Sequence, residues 1–169
     1  LDFDIVIVGL GPTGGTLANL LAMNNVSVLI LEKEANIYNL PRAVHFDDEI
    51  MRVFQTIGIT KSLSKKLIIN KGTRFIDNNG ELLLDWPRPK KITENGWYPS
   101  YRFHQPDLER SLRHNLKKYK NATIVQNAEV YKTINKKDYV EVNYKNTKTN
   151  KIHSLKSKYL IGCDGANSF

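Results

Sequence analysis

The sequence has a single cysteine, Cys163, and lacks any long hydrophobic run. One cysteine cannot form a disulfide within the chain and has no partners for a zinc site, which excludes a disulfide-stapled scaffold and a cysteine-rich zinc module. We expect Cys163 to pack inertly in an apolar strand. No apolar stretch approaches the roughly 20 residues that a membrane helix needs, and no secretory leader pattern opens the chain. These absences lead us to expect a cytoplasmic protein.

Acidic residues are in the minority, since 17 Asp and Glu stand against 25 Lys and Arg and leave a formal charge of +8. A basic surplus is also typical of nucleic-acid-binding proteins. Here, however, the lysines are scattered over predicted helix ends and turns, and they do not alternate with aromatic side chains as on a surface that binds single strands. We therefore predict no nucleic-acid partner and no membrane partner.

The chain begins with a phosphate-loop pattern. A short run rich in β-branched residues, from Asp4 to Val8, passes directly into Gly9-Leu10-Gly11-Pro12-Thr13-Gly14. Gly9 permits a tight turn, Gly11 lets the backbone approach a diphosphate, and Gly14 lets the following helix pack closely on the strand. Pro12 suits the first helical position, and a helix N-terminus favours an anion. Glycines also serve ordinary strand-to-helix turns, so this pattern alone leaves that alternative open.

An acidic residue completes a predicted βαβ unit. The helix is predicted from Thr13 to Met23, with Leu17, Leu20 and Leu21 on one face, and a second strand from Val26 to Leu31 ends in Glu32. A carboxylate roughly 20 residues past the glycines is suited to accept hydrogen bonds from a ribose diol and repels a 2′-phosphate. The unit therefore favours FAD or NAD over NADP. The alternative is that Glu32 is a solvated charge at a strand end.

The middle of the chain departs from βα alternation. Pro41 excludes helix through Leu40, and a helix is predicted to begin at the capping residues Asp47 and Asp48 and to stop at Gly58. Its apolar face is predicted to consist of Ile50, Val53, Phe54 and Ile57. The following elements are predicted as a hairpin of Thr73 to Ile76 with Glu81 to Trp86, a short strand from Tyr101 to His104, and a helix from Pro106 to about Tyr119.

The final third is predicted as a β-meander followed by one more strand. The meander strands are Ala122 to Gln126, Ala128 to Thr133, Tyr139 to Tyr144 and Ile152 to Leu155. The last strand, Tyr159 to Cys163, leads into Asp164 and Gly165, at the kind of strand end where open α/β sheets bind ligands. A dehydrogenase domain for NAD does not leave the α/β alternation so early, which argues against a plain NAD-binding domain.

Four motifs in this order resemble those of one known family. They are Gly9 to Gly14 with Glu32-Lys33, then Pro41 to Glu49, then Phe103 to Glu109, and finally Gly162 to Ser168. Together they are similar to the FAD-dependent aromatic hydroxylases, the class A flavoprotein monooxygenases of the p-hydroxybenzoate hydroxylase type. The second and third motifs are most similar to the 3-(3-hydroxyphenyl)propionate hydroxylase branch. The motifs span nearly the whole chain, so they are far more specific than the first alone.

The resemblance implies an α/β fold: a Rossmann-like FAD-binding domain, built on the GxGxxG βαβ unit, with an added β-meander and hairpin. It would occupy residues 1–169 and form the N-terminal part of a longer monooxygenase. The family's later Gly-Asp motif, which contacts the flavin, is absent from these residues, as is the sheet that closes the aromatic pocket. The chain is therefore expected to be truncated before the substrate domain.

The resemblance also assigns roles to particular residues. The cofactor-binding set that it implies is Gly9, Gly11, Pro12, Thr13, Gly14, Glu32, Lys33, Arg42, Gln105, Val130, Asp164 and Gly165. In this set, Arg42 would lie against the FAD diphosphate and the transient NAD(P)H, Gln105 would bind the ribityl chain, and the adenine would lie near Val130. The alternative for Arg42 is a salt bridge to Asp47 or Asp48, and the alternative for Gln105 is a helix-capping role. No catalytic side chain and no metal site is expected, because the flavin performs the chemistry.

The implied enzyme hydroxylates a phenolic small molecule with O2 and NAD(P)H, using tightly held FAD. Alone, this chain is expected to bind FAD weakly at best and to hydroxylate nothing. The alternatives are another FAD-dependent oxidoreductase of the same fold, such as a halogenase or a dehydrogenase, or a non-catalytic nucleotide-binding module. His45 and Phe46 replace what is often Gly and a β-branched residue, and neither His45 nor His104 receives a role. Assembly with identical chains is left open.

Overall fold

The protein was analysed as a computed structural model that describes residues 1–40 and 42–168, apart from the side chain of Asn167. The predicted helix-breaking residue Pro41 lies outside the described residues. The chain divides into two compact units, Leu1–Leu40 with Leu108–Phe169, and Pro41–Asp107.

The elements, in chain order, are mostly short. The strands are β1 (Phe3–Val8), β2 (Val28–Glu32), β3 (His45–Asp47), β4 (Ile68–Ile69), β5 (Gly72–Ile76), β6 (Leu82–Pro87), β7 (Ser100–Arg102), β8 (Ala122–Gln126), β9 (Ala128–Asn135), β10 (Val140–Asn146) and β11 (Ile152–Gly162). The helices are α1 (Pro12–Met23), α2 (Asp48–Thr56), α3 (Thr60–Leu63) and α4 (Gln105–Leu116), with 3-10 turns at Ser64–Lys66 and Gly165–Asn167. No helix among the described residues is long and apolar enough to cross a membrane.

The first unit contains a six-stranded sheet in the order β8-β2-β1-β11-β10-β9. Strands β8, β2 and β1 are parallel, as is the pairing of β1 with the end of β11, whereas β9, β10 and the start of β11 form an antiparallel meander. The predicted βαβ unit and meander are therefore confirmed. Two details of the prediction were wrong: β8 extends the parallel sheet beside β2, and the last two predicted strands are a single strand, β11.

Both faces of this sheet are covered. On one face, β1 and β2 pack against the meander in a cluster of Val6, Val8, Leu29, Leu31, Ala128, Val130 and Val142. The other face packs on α1 and the end of α4. On α1, Leu17 and Leu21 of the predicted leucine face pack partly buried against the cluster on this face, while the buried positions are Gly14, Gly15, Ala18, Asn19 and Ala22. Small residues let the helix axis approach the sheet and α4 closely, while the leucines lie at the margin.

The second unit contains α2, α3, a three-stranded sheet of β3, β7 and β4, and the β5-β6 hairpin. The hairpin and the start of α2 follow the prediction, since the Asp47 side chain caps α2 by accepting from the Ile50 N–H at 2.9 Å. Within α2 the buried residues are Met51 and Phe54, whereas the predicted core residue Ile50 is 41% exposed. The additional strand β3 pairs with β7 and turns Phe46 into the core.

Candidate functional site

The glycine loop between β1 and α1 is closed at two glycines and open at the third. Gly9 has φ of +98°, and a Cβ built on it would collide with the backbone carbonyl of Cys163 and lie 3.0 Å from the Asp164 Cα. A Cβ on Gly14 would collide with the carbonyl oxygen of Gly9. A Cβ on Gly11, by contrast, meets no atom of the described residues within 4 Å. The loop therefore needs glycine at Gly9 and Gly14 for its own folding, and it leaves space for another molecule at Gly11.

The start of α1 has the properties of an anion site. Gly11 is the N-cap, Pro12 occupies the first turn, none of the described side chains caps the helix, and the first turn carries no acidic residue. Thr13 is exposed beside them. The N–H groups of a helix N-terminus and the positive end of its dipole attract anionic groups such as phosphate.

Glu32 lies at the end of β2, as the sequence predicts, and is only 8% exposed. Its Oε2 accepts a hydrogen bond from the Leu10 N–H at 2.7 Å, and its Oε1 accepts one from the Glu34 N–H at 2.9 Å. It is therefore not a solvated charge at a strand end, because it fixes the glycine loop to the turn after β2. Each carboxylate oxygen has two lone pairs, so these bonds leave acceptor capacity for a hydroxyl group. The next residue, Lys33, is exposed.

The end of β11 lies beside the glycine loop. The Cys163 N–H donates to the Val8 carbonyl at 2.7 Å, and Asp164 follows at the edge of the loop. Gly165 has φ of +81° and open space around its Cβ position. Burial raises the pKa of the Cys163 thiol, and the charge of Asp164 raises this pKa further. Both effects keep the thiol neutral, which suits packing and not nucleophilic chemistry.

Val130 belongs to the buried cluster between β2 and the meander and is 5% exposed. Its side chain is occupied by contacts with the protein. The predicted proximity of an adenine thus concerns the backbone at this position more than the side chain.

Arg42 and Gln105 both belong to the second unit, and the structure brings them together. The Gln105 Oε1 accepts from the Arg42 N–H and the Ala43 N–H, each at 2.9 Å, and Gln105 is 4% exposed. Gln105 is the first residue of α4. Its side chain thereby fixes the backbone of the segment after Leu40. The Arg42 residue is exposed.

Three further polar residues of the second unit that the sequence analysis mentions, Asp48, His45 and His104, have contacts within that unit. The Asp48 Oδ2 accepts from the Thr93 hydroxyl at 2.6 Å and from the Asn95 amide at 2.8 Å. Both bonds lower the pKa of Asp48, and the bond from Thr93 has the larger effect. His104 lies 3.1 Å from Asp107, and the exposed His45 pairs across the sheet with Arg102.

One contact of the glycine loop was missed by the sequence analysis. The Arg113 Nη2 of α4 donates to the Leu10 carbonyl at 3.3 Å and lies 3.5 Å from the Glu109 carboxylate. The sequence shows Arg113 only as one of several basic residues on a helix, without a motif to distinguish it. Its contact with the loop depends on how α4 packs, which local patterns do not show.

Comparison with known proteins places the chain in a family. The model of a family described as "FAD binding domain" matches residues 2–169. The chain belongs to this FAD-binding-domain family. The expected α/β fold and the FAD cofactor are thereby confirmed, and relatives that are named as aromatic hydroxylases confirm the resemblance to that group of enzymes.

Two relatives and one solved structure illustrate the similarity. A probable NADH-specific resorcinol 4-hydroxylase of Rhodococcus jostii (strain RHA1) is 34% identical over 167 residues, which are 97% of this chain and 31% of the relative. A 3-(3-hydroxy-phenyl)propionate/3-hydroxycinnamic acid hydroxylase of Mycolicibacterium gilvum (strain PYR-GCK) is 32% identical over 167 residues, which are 99% of this chain and 28% of the relative. The structure of the flavin-dependent monooxygenase PieE, in complex with FAD and substrate, covers 99% of this chain and 31% of that protein, with a TM-score of 0.87 and 20% identity. The chain thus spans about a third of the length of its relatives, and the solved structure shows the shared fold.

Proposed function

We propose that this FAD-binding domain seats the diphosphate of FAD on the loop from Gly9 to Gly14 and the adenosine ribose at Glu32. The observation that carries the proposal is the contrast among the three glycines. A Cβ at Gly9 or Gly14 would meet the protein's own backbone, whereas no described residue fills the space at Gly11, directly before a helix that no described side chain caps. A diphosphate needs close backbone approach and unpaired N–H donors, and both are provided at this point.

Further residues complete the proposed cofactor site. The backbone N–H groups of Thr13 and Gly14 would face the diphosphate. Glu32 would accept a hydrogen bond from a ribose hydroxyl with its remaining lone pairs. By family resemblance, Asp164 and Gly165 contribute from the strand end beside the loop. Lys33, Arg42, Gln105 and Val130 remain assigned on resemblance, with Arg42 directed to the diphosphate and to the nicotinamide co-substrate.

The activity that we propose is hydroxylation of a phenolic compound with O2 and NAD(P)H, carried out by a longer enzyme of which residues 1–169 form the N-terminal FAD-binding part. It is supported by the names of the relatives, which are a resorcinol 4-hydroxylase and a 3-(3-hydroxy-phenyl)propionate/3-hydroxycinnamic acid hydroxylase. The bound flavin supplies the redox chemistry, and the residues of this chain bind and orient it and shield it from water. We place this enzyme in the cytoplasm, with small molecules and no nucleic acid or membrane as its partners.

A titration of the purified chain with FAD tests the cofactor proposal. Quenching of flavin fluorescence should saturate, although at low affinity, and the same chain should bind NAD+ more weakly still, because the resemblance assigns Gln105 to the ribityl chain, which NAD+ lacks. Tighter binding of NAD+ than of FAD would contradict the assignment. We further expect no phenol-dependent oxidation of NADH or NADPH by the chain alone, and such a reaction would refute the proposal that the substrate site lies in the rest of a longer enzyme.

A further inference from the structure

We propose that Arg113 is a positioning residue for the diphosphate loop, acting through the peptide unit between Leu10 and Gly11. This inference rests on the proposed binding of FAD at that loop. Arg113 lies on α4, and its side chain is 15% exposed. It holds the carbonyl oxygen of Leu10 at 3.3 Å, while Glu32 holds the N–H of the same residue at 2.7 Å. A cation and an anion therefore fix Leu10 on its two sides.

The contact has a direct consequence for Gly11. The carbonyl of Leu10 and the N–H of Gly11 belong to one planar peptide unit, so fixing the oxygen also fixes the direction of the N–H. A charged donor on the oxygen withdraws electron density from the unit and makes its N–H a stronger donor, as in other chains of hydrogen bonds. Because space is open at the Gly11 Cβ position, an anionic group can approach this strengthened donor.

The stability of the fold alone does not explain why an arginine occupies position 113. The neighbouring contacts of α4 are made by Leu108, Leu112 and Leu116, each at most 2% exposed. Arg113 instead forms a largely buried pair with Glu109, whose side chain is 5% exposed, and among the described residues its Nε atom has no hydrogen-bond partner. Burying such groups costs free energy that packed leucines would not cost. A role at the loop accounts for a side chain that is unfavourable for stability.

The experiment compares Arg113→Gln and Arg113→Lys with the matched control Arg110→Gln, an exposed arginine one turn earlier on α4. The first readout is the amide proton resonance of Gly11 by NMR in the chain without FAD. The second is the dissociation constant for FAD, and the third is thermal unfolding. In Arg113→Gln the Gly11 resonance should move upfield and the dissociation constant should rise at least about tenfold, because a hydrogen bond to a charged group is lost. Arg113→Lys keeps the charge and should restore part of both effects, and Arg110→Gln should change neither.

A merely structural arginine gives a different pattern, in which the unfolding temperature changes while the Gly11 resonance and the FAD affinity of the folded protein do not. That result would overturn the inference. If Arg113→Gln does not fold, Arg113→Lys decides by the same two readouts. If the unsubstituted chain shows no saturable FAD binding, the proposed function fails, whereas the Gly11 resonance in the absence of FAD still decides whether Arg113 acts on the loop.

Discussion

Replacing Gly11 by alanine should separate ligand binding from folding. The residue has φ of −75° and ψ of −169°, which any L-amino acid adopts, and its added methyl group would meet no atom within 4 Å in the part of the chain that the structure describes. Alanine is a poorer N-cap than glycine by about 0.5–1 kcal/mol. It also restricts the unfolded chain, which stabilises the fold by about 0.4–1 kcal/mol. These two effects nearly cancel, so the free energy of unfolding should change by less than about 1 kcal/mol.

Gly14→Ala provides the contrast. A Cβ at Gly14 would collide with the Gly9 carbonyl oxygen and lie 3.2 Å from the Cys163 Cβ. Because the obstacle is backbone, the helix must move away from the loop, and overpacking of this kind costs about 1–3 kcal/mol. For a protein of this size each kcal/mol lowers the unfolding temperature by about 2–4 °C. Gly14→Ala should therefore unfold about 2–12 °C lower than the unsubstituted chain.

Two measurements on the same samples test this reasoning: thermal unfolding by circular dichroism and FAD titration by flavin fluorescence. In Gly11→Ala the methyl group occupies the space of the diphosphate, and the dissociation constant should rise at least tenfold, or about 1.4 kcal/mol. If Gly11→Ala binds FAD as well as the unsubstituted chain while remaining folded, the diphosphate does not lie at this loop. If Gly14→Ala unfolds at the unchanged temperature, the close packing of α1 on the loop is wrong.

Three further substitutions probe the supports of the site. Glu32→Gln presents an NH2 group to one of two backbone N–H donors, so urea unfolding should show a loss of about 1–3 kcal/mol; unchanged stability would mean that these bonds are not made. Asn19→Ala removes the fully buried amide that donates to the Leu112 carbonyl, and should likewise cost about 1–3 kcal/mol, with faster amide exchange in α4 as its signature. Asp48→Ala removes the acceptor of Thr93 and Asn95. Because the hydrogen bonds from Thr93 and Asn95 lower the pKa of Asp48 in the folded state, its contribution is present above the unfolded pKa and lost as the pH falls through the folded value. The stability difference between Asp48→Ala and the unsubstituted chain should therefore be constant above about pH 5 and shrink in more acidic solution, and a constant difference down to pH 2 would contradict this assignment.

The sequence was sufficient for the parts of the site that depend on local backbone. Glycine spacing predicts the loop because Gly9 and Gly14 are required by contacts that a Cβ would block, and these requirements recur wherever the turn is built. The sequence also predicts the hairpin of β5 and β6, because the residues between these strands are typical of a tight turn. The position of Glu32 follows from the length of β2.

Contacts between segments that are far apart in the sequence could not be predicted from local patterns. Strand β8 has the same short apolar pattern as its neighbours in the meander, and only its packing beside β2 shows that it extends the parallel sheet. Helical periodicity draws attention to the leucines of α1, whereas the positions that approach α4 are Gly15 and Asn19, which no local pattern distinguishes. Arg113 was missed for the same reason, since its partner Leu10 lies far away in sequence.

The long strand β11 explains why a motif at the end of the chain belongs to a site formed at its start. Its first half pairs with β10 in antiparallel fashion, and its second half pairs with β1 in parallel, up to the pair of Val8 with Gly162. A shift of this register by one residue would exchange the faces of all its side chains, and Asp164 would no longer lie beside the turn at Gly9. The meander therefore fixes the register on which the site depends. Substitutions that weaken the pairing of β10 with β11 should reduce FAD affinity even though they lie outside the site.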